Sequence, residues 1–267
     1  MIEARDVVVR VGGATLLRDV TFTALPGTVT GIIGPNGAGK STLLAALAGD
    51  LPLAAGSVTI GGIAPNSSSA RSLAQVRAVM LQDVNVAFSF LVRDVVSMGR
   101  RPWAGTERSA DDAERVEAAL ELTGTAKLAD RDIMTLSGGE RARVALARVL
   151  AQETPVTLFD EPTAAMDIGY QERTLGIIRG LAAAGGTAVV VLHDLNAAAA
   201  YCDRFYCLRD GAVAACGGVD QVFQSSVLSE VYDWPIRVSR DGGVGGSVGG
   251  SVVVQPERAG VPPLSSF

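Results

Sequence analysis

The chain has 267 residues, a net charge of −5 at pH 7 and an isoelectric point near 5.0. Nucleic-acid-binding proteins usually carry a clustered basic face, so DNA and RNA are not expected partners. Its mean hydropathy is +0.30, yet apolar runs such as Thr187–Leu192 are far shorter than the roughly 18 to 20 residues that span a bilayer. The N-terminus is acidic and lacks a signal-peptide pattern, so we expect a soluble protein that reaches a membrane only by docking there.

The first fifth of the chain predicts a hairpin followed by a strand, a loop and a helix. Two strand-like runs, Val7–Val11 and Leu17–Thr23, flank a Gly-Gly pair that is typical of a hairpin turn. A buried strand, Thr28–Ile33, then leads into a glycine-rich loop. Helix formers with leucines on one side follow from Lys40 to Ala48. This is the order of elements that a phosphate-binding loop requires.

The rest of the chain changes character twice. From about residue 87 to residue 151 the pattern is helical, with one helix predicted over Ser109–Thr123. After it, strand-like runs such as Val156–Phe159 alternate with helices, which predicts a mainly parallel sheet covered on both faces. We therefore expect one α/β domain over residues 1–240, with a core formed by 1–86 and 152–240 and an inserted helical lobe between them. Residues 241–267 read as a Gly/Ser-rich, flexible tail.

The glycine-rich loop has the pattern GxxxxGKS and predicts nucleotide binding. It consists of Gly34, Pro35, Asn36, Gly37, Ala38, Gly39, Lys40, Ser41 and Thr42. The glycines let successive backbone N–H groups face an anion, and the helix that follows adds its positive end. We expect Lys40 to bridge the β- and γ-phosphates of a nucleotide. The hydroxyl of Ser41 is placed to ligate Mg²⁺, which takes few protein oxygens.

Two adjacent acids follow the apolar strand that ends at Phe159. Asp160 places a carboxylate at the edge of the sheet beside the phosphate loop, where it can hold Mg²⁺ through water. Glu161 comes next, and adjacent side chains at a strand end point to different sides. The two carboxylates are therefore expected to do different work. The alternative is a pair of solvated acids before the turn at Pro162.

The helical lobe carries a second glycine-containing motif, Leu136-Ser137-Gly138-Gly139-Glu140. It is a capping box, in which Ser137 accepts from the backbone of the third helical residue while Glu140 reaches back. A helix N-terminus with bare glycines can also bind an anion. This one lies on a lobe separate from the phosphate loop.

With these three motifs in this order, residues from about 2 to 240 resemble the ATP-binding subunits of ABC transporters. The resemblance implies the ABC ATPase fold, in which a P-loop NTPase (RecA-like) core carries an antiparallel β edge subdomain and an inserted helical subdomain. It also implies ATP and Mg²⁺ as cofactors. Asp160 then serves the metal, and Glu161 polarises the water that attacks the γ-phosphate.

The resemblance assigns further roles. His193, the one histidine of the chain, matches the switch histidine that contacts the γ-phosphate, although a lone histidine is more often structural. Gln82 matches the glutamine that reaches Mg²⁺ or the attacking water. Ser137, Gly138 and Gly139 would complete the ATP site of a second copy of the chain, giving a C₂ homodimer that clamps two nucleotides. Asp167 matches the loop that links the two sites.

Two positions depart from the family pattern. Val11 stands where the family usually places an aromatic ring for adenine stacking, so we expect weaker apolar contact with the base and relaxed selectivity between ATP and GTP. Ala142 replaces a glutamine often found two positions after the signature glutamate. Its absence removes a polar contact near the nucleotide without touching the catalytic set.

Residues 88–102 look like the stretch that importers of iron chelates, haem and cobalamin place against their membrane subunit, although Phe88 and Phe90 can equally be core residues. Among these importers, the chain most resembles haem importer ATP-binding subunits, on the stretches Gly99–Pro102, Leu146–Gln152 and Val231–Ile236. The expected function is ATP hydrolysis that energises haem import through a transmembrane permease, on the cytoplasmic face of the membrane, with an extracytoplasmic substrate-binding protein as an indirect partner. Ferric siderophore and cobalamin are alternative cargoes, and a soluble ABC ATPase acting on nucleic-acid or ribosomal assemblies is the rival class.

Overall fold

The computed structural model describes residues 1–81, 89–240 and 252–258. In chain order, its strands are β1 (Ile2–Val11), β2 (Ala14–Ala24), β3 (Val29–Ile33), β4 (Ala55–Ile60), β5 (Arg77–Met80), β6 (Val156–Asp160), β7 (Thr187–Val191), β8 (Arg204–Arg209), β9 (Ala212–Gly217), β10 (Ile236–Arg240) and β11 (Val252–Pro256). Its α-helices are α1 (Lys40–Ala48), α2 (Ala70–Val76), α3 (Val92–Ser97), α4 (Asp112–Leu122), α5 (Gly138–Gln152), α6 (Ile168–Ala183), α7 (Leu195–Tyr201), α8 (Val219–Val222) and α9 (Ser225–Tyr232). In the described ranges, no helix is both long and apolar enough to cross a bilayer.

The main sheet has the strand order β5-β6-β7-β3-β8-β9. The five neighbouring strands β5, β6, β7, β3 and β8 pair in parallel, and β9 returns antiparallel to β8. Every residue of β3, β6 and β7 is buried, as expected for strands covered on both faces. The predicted α/β class is confirmed. Because β6, β7 and β3 are neighbours, their carboxyl ends meet at one edge of the sheet.

A smaller antiparallel sheet, with the order β2-β1-β4, forms the edge subdomain. The predicted hairpin between β1 and β2 is present, and Gly12 and Gly13 turn it with φ angles of 57° and 84°. Such positive angles favour glycine because it has no Cβ. The inward residues of this sheet, Val7, Val9 and Leu17 among them, pack into one apolar cluster with the leucines of α1. The small sheet and the helix that follows the phosphate loop therefore share one core.

The helical lobe consists of α3, α4 and α5, which enclose an apolar cluster of their own. The helix predicted over Ser109–Thr123 begins later, because residues Glu107–Asp111 form a 3₁₀ turn and α4 starts at Asp112. The buried guanidinium of Arg100 accounts for the turn. It pairs with Asp112 and Glu153 at 2.7 and 3.0 Å and so fixes the start of α4 against the end of α5.

The C-terminal ribbon, defined as β10 and β11, differs from the sequence expectation of a flexible tail. Residues Val252–Pro256 pair antiparallel with Ile236–Arg240, and Val254 is only 7% exposed. The run of three valines at 252–254 explains the difference, since β-branched residues favour strands. The Gly/Ser-rich composition of the segment that precedes this run leads the sequence to predict a flexible tail instead of a strand.

Candidate active site

The phosphate loop joins β3 to α1 through three glycines with positive φ. These angles are 141° at Gly34, 78° at Gly37 and 97° at Gly39. At Gly34 a side chain is excluded by space as well, because a Cβ atom there would lie 2.2 Å from the carbonyl oxygen of Leu208. The loop can therefore curl only with glycine at this position.

The ammonium of Lys40 lies over this loop. Its Nζ donates to the carbonyl oxygens of Gly34 and Pro35, at 2.9 and 3.0 Å. Burial lowers the pKa of Lys40, and the charges of Glu161 and Asp160 oppose that shift. A buried cation that is hydrogen-bonded to neutral carbonyls is suited to exchange them for phosphate oxygens.

Ser41 and Asp160 meet beside the loop. The Ser41 hydroxyl donates to Oδ1 of Asp160 at 3.2 Å. The carboxyl of Asp160 is 7% exposed, and burial raises its pKa, against the opposing effect of the Ser41 hydrogen bond. The pair offers two hard oxygen ligands, and among the described residues no cluster of three His, Cys, Asp or Glu could hold a metal alone. This donor set fits Mg²⁺, which completes its shell with water and phosphate oxygens.

Glu161 and His193 form the next pair. Glu161 follows β6 with a φ of 49°, a left-handed conformation that is costly for a residue with a Cβ and is found preferentially at functional sites. Its backbone N–H donates to the carbonyl oxygen of Val191 at 3.3 Å. Its Oε1 is hydrogen-bonded to Nε2 of His193, which follows β7. Asp160 and Glu161 thus face different partners, as the strand geometry predicts.

Lys40, Ser41, Glu161 and His193 line one cavity of about 340 Å³. Its described lining residues are Leu16, Asn36, Gly37, Gly39, Lys40, Ser41, Thr42, Glu161 and His193. Sequence reasoning missed Leu16, which is 37% exposed although its neighbour Leu17 is buried. The alternation of inward and outward residues along β2 was the signal for it. Val11, expected near the base, is 52% exposed.

The second glycine motif lies elsewhere. The Ser137 Oγ accepts from the Glu140 N–H at 3.3 Å, while Glu140 Oε2 accepts from the Ser137 N–H at 2.8 Å, so the capping box is present as predicted. A Cβ atom at Gly139 would lie 2.9 Å from the carbonyl oxygen of Ala165. The start of α5 therefore packs on the loop that leads to Asp167.

Asp167 caps the N-terminus of α6, and its Oδ1 accepts from the Tyr170 N–H at 3.0 Å. The loop before Asp167 thus lies against Gly138 and Gly139 through Ala165. The described part of the phosphate-loop cavity is lined by none of Ser137, Gly138, Gly139 and Asp167. Gln82 lies outside the described residues.

Tyr232 is a further contact of the phosphate loop that the sequence did not reveal. Its phenol oxygen accepts from the backbone N–H of Gly34 at 3.0 Å. Burial raises the pKa of Tyr232 well above its ordinary value, so the phenol stays protonated. The two residues are 198 positions apart. No local pattern could have paired them.

Comparison with known proteins identifies the family. A family model described as ABC transporter matches residues 17–164. The chain is 51% identical to a hemin import ATP-binding protein of Streptomyces coelicolor, over 86% of this chain and 82% of that protein. It is 46% identical to a hemin import ATP-binding protein of Rhodococcus jostii, over 96% and 86%. A cobalamin import ATP-binding protein of Halobacterium salinarum is 41% identical, over 89% and 60%.

Solved structures agree. The dimeric structure of a bacterial ABC transporter cassette has a TM-score of 0.75 and 27% identity, covering 82% of this chain and 99% of that one. The ATP-binding subunit of an ABC transporter has a TM-score of 0.78 at 23% identity, covering 87% and 98%. The fold is thus that of the ABC ATPase cassettes. On the family match, the relatives and the shared fold, the chain belongs to the ABC transporter family.

Proposed function

We propose that this chain is the ATP-hydrolysing subunit that energises import of haem through a membrane permease. The observation that carries the ATPase assignment is the shared cavity in which Lys40 and Ser41 face Glu161 and His193. The cargo rests on the similarity to the hemin import ATP-binding protein of Streptomyces coelicolor at 51% identity.

Nucleotide binding follows from the loop geometry. Lys40 exchanges its bonds to the Gly34 and Pro35 carbonyls for bonds to the β- and γ-phosphates, while loop N–H groups face the same oxygens. Ser41 and Asp160 would hold Mg²⁺, which neutralises phosphate charge when it is bound. Gln82 is proposed to reach the same ion or the attacking water.

Hydrolysis uses the Glu161 and His193 pair. The Glu161 carboxylate orients a water molecule and accepts its proton as the water oxygen bonds to the γ-phosphorus and ADP leaves. His193 holds the carboxylate by its Nε2 contact and faces the γ-phosphate. The strained backbone of Glu161 aims the side chain before substrate arrives.

A second copy of the chain completes the site. The N-terminus of α5, with Ser137, Gly138 and Gly139, supplies N–H groups and a positive dipole end to the γ-phosphate bound by its partner. Asp167 follows the loop that packs on this motif through Ala165 and is proposed to link the two sites across a C₂ interface. Dimerisation then depends on ATP.

The permease would dock in a groove of about 550 Å³ between the helical lobe and the core. Met98, Gly99, Arg101 and Pro102 line it, and all four belong to the stretch at 88–102 that resembles the docking region of importers. Arg148 lines it too, with a pKa that burial lowers. The described lining contains further arginines and no carboxylate. An acidic cytoplasmic segment of the permease complements this charge.

The test is ATPase activity in lipid with the co-purifying membrane subunit, using capture protein loaded with haem, ferric siderophore or cobalamin. We expect stimulation by haem that disappears in Glu161→Gln and in the groove variant Arg148→Glu, the latter with unchanged basal hydrolysis. Stimulation by cobalamin alone would replace the cargo, which the 41% identical Halobacterium salinarum relative makes the second candidate. Recovery of RNA or DNA without a membrane partner would contradict transport.

A further inference from the structure

The C-terminal ribbon is tied to the core by side-chain hydrogen bonds on both of its strands. On β10, the Val238 N–H donates to Ser225 Oγ at 2.9 Å and the Ile236 N–H donates to Ser229 Oγ at 2.8 Å, which fixes the strand to α9. At the end of the ribbon, Trp234 Nε1 donates to the carbonyl oxygen of Glu257 at 2.9 Å and so joins the segments that flank the two strands. The ribbon therefore has a defined position on the molecule.

On the edge of β11 that faces away from β10, the backbone of Val254 is hydrogen-bonded to the side chain of Asn196. The Val254 N–H donates to Asn196 Oδ1 at 2.8 Å, and the Val254 carbonyl accepts from Asn196 Nδ2 at 3.3 Å. Both backbone groups of one residue in an antiparallel pair point to the same side, so these two face away from β10. The amide of Asn196 occupies the place that a third strand would take, and it satisfies both groups.

Asn196 lies three residues after His193, in the first turn of α7. The same turn is capped by Asp194, whose Oδ1 accepts from the backbone N–H groups of Asn196 and Ala197 at 2.8 and 3.1 Å. We call the two hydrogen bonds between Asn196 and Val254 the Asn196 clamp. The Asp194 cap and the Asn196 clamp together hold the backbone from Asp194 to Ala197. His193 is joined directly to this turn and reaches Glu161 from it.

The ribbon also shares an apolar cluster with the residues on either side of His193. Val254 and Ile236 belong to the same apolar cluster as Leu192 and Ala198, which precede and follow His193 in the chain. Strand β11 thus shares a core with both ends of the short segment that carries the histidine.

We propose that β11, through the Asn196 amide, is a positioning element for His193. The strand fixes the first turn of α7 and with it the imidazole against Glu161. The consequence for turnover rests on the proposed catalytic role of His193, whereas the consequence for the imidazole environment does not. Residues 252–258 are then part of the active-site support and residues 259–267 are not needed for it.

The test uses the fact that His193 is the one histidine of the chain. An untagged protein labelled with ¹³C-histidine gives imidazole NMR signals from that side chain alone. We compare the full chain with Asn196→Ala, with a chain ending at residue 251 that lacks β11, and with a chain ending at residue 258 that keeps it. Alanine is the stronger helix former, so Asn196→Ala does not weaken α7 by propensity.

We expect the imidazole signals to move in Asn196→Ala and in the chain ending at 251, and to overlay the full-chain signals in the chain ending at 258. The kcat for ATP should fall about tenfold in the first two, since misplacement of a catalytic group by about 1 Å costs up to 10²-fold. The KM for ATP should stay within about twofold, because the phosphate loop is untouched.

A stability control separates positioning from mere loss of packing. Val116 is 7% exposed in α4 and belongs to the separate apolar cluster of the helical lobe, so Val116→Ala lowers the Tm without touching the Asn196 clamp. Its imidazole signals should not move. Unmoved signals in Asn196→Ala would overturn the proposal, as would equal movement in Val116→Ala. Moved signals in a chain that never hydrolyses ATP would instead contradict the proposed function alone.

Discussion

The two glycine-rich helix starts of this molecule look alike locally and differ in what surrounds them. At α1, the loop before Lys40 is surrounded by Asp160, Glu161 and His193. At α5, the described neighbours of Gly138 and Gly139 are a capping box and the loop before Asp167. Both can bind an anion. Only the first is equipped to break a phosphate bond, and under the proposed function the second would complete the site of a partner chain.

Glu161→Gln removes the proposed base on the equipped side and has the largest expected effect. Turnover should fall about 10²- to 10⁴-fold, the usual contribution of general acid–base catalysis. ATP affinity should be retained because Lys40 and the loop are unchanged. Fluorescent-nucleotide binding and phosphate release measured on the same preparation check this. Near-normal turnover would remove Glu161 from the mechanism.

Gly138→Asp tests the other side. A Cβ atom at Gly138 meets Ala165 at 3.7 Å, an ordinary contact, and an acid in the first turn suits the helix dipole. The fold should be intact, while the new charge repels the phosphate of a partner-bound nucleotide. Turnover should fall about 10²-fold, as when one preorganised donor is lost. Gly180→Asp, on an exposed and open position of α6, is the matched control and should stay active.

Tyr232→Phe sharpens the account of the phosphate loop. It leaves the Gly34 N–H without its acceptor, which costs about 1 to 3 kcal/mol for a buried group. We expect a Tm lower by roughly 2 to 4 °C per kcal/mol in a domain of this size. Tyr201→Phe removes a hydroxyl that bonds Glu172 at the surface and should leave the Tm within about 1 °C, since surface changes are usually small. Equal shifts in the two variants would contradict the role of Tyr232.

Asp160→Asn has the smallest expected effect on the nucleotide-free chain. Burial raises the pKa of Asp160 above its ordinary value of 3.8. In the pH window between these two values the folded state binds a proton that the unfolded state has lost. The free energy of unfolding therefore falls as the pH rises through this window. The variant lacks this loss. Its Tm should equal that of the natural chain below the window and exceed it above, as calorimetry across pH can show. A Tm difference independent of pH would argue against the shift.

The sequence predicts the parts of this molecule that are local. Strand, loop and helix around Lys40, the hairpin before it and the capping box at Ser137 all follow from short patterns with a physical reason. Long-range contacts do not. The bonds from Tyr232 to Gly34 and from Asn196 to Val254 join residues 198 and 58 positions apart, and only the folded chain brings them together. The start of α4 was misplaced because the Arg100 ion pairs that set it are likewise non-local.

The most direct test of the claim that two chains share each ATP site is the mass of the protein in solution. Sedimentation of Glu161→Gln with ATP and Mg²⁺ should give a dimer, because the nucleotide is bound and not turned over. The double variant Glu161→Gln, Gly138→Asp should bind ATP with similar affinity and remain a monomer. A dimer that persists in the double variant, or a monomer of Glu161→Gln saturated with ATP, would contradict the claim that two chains share each site.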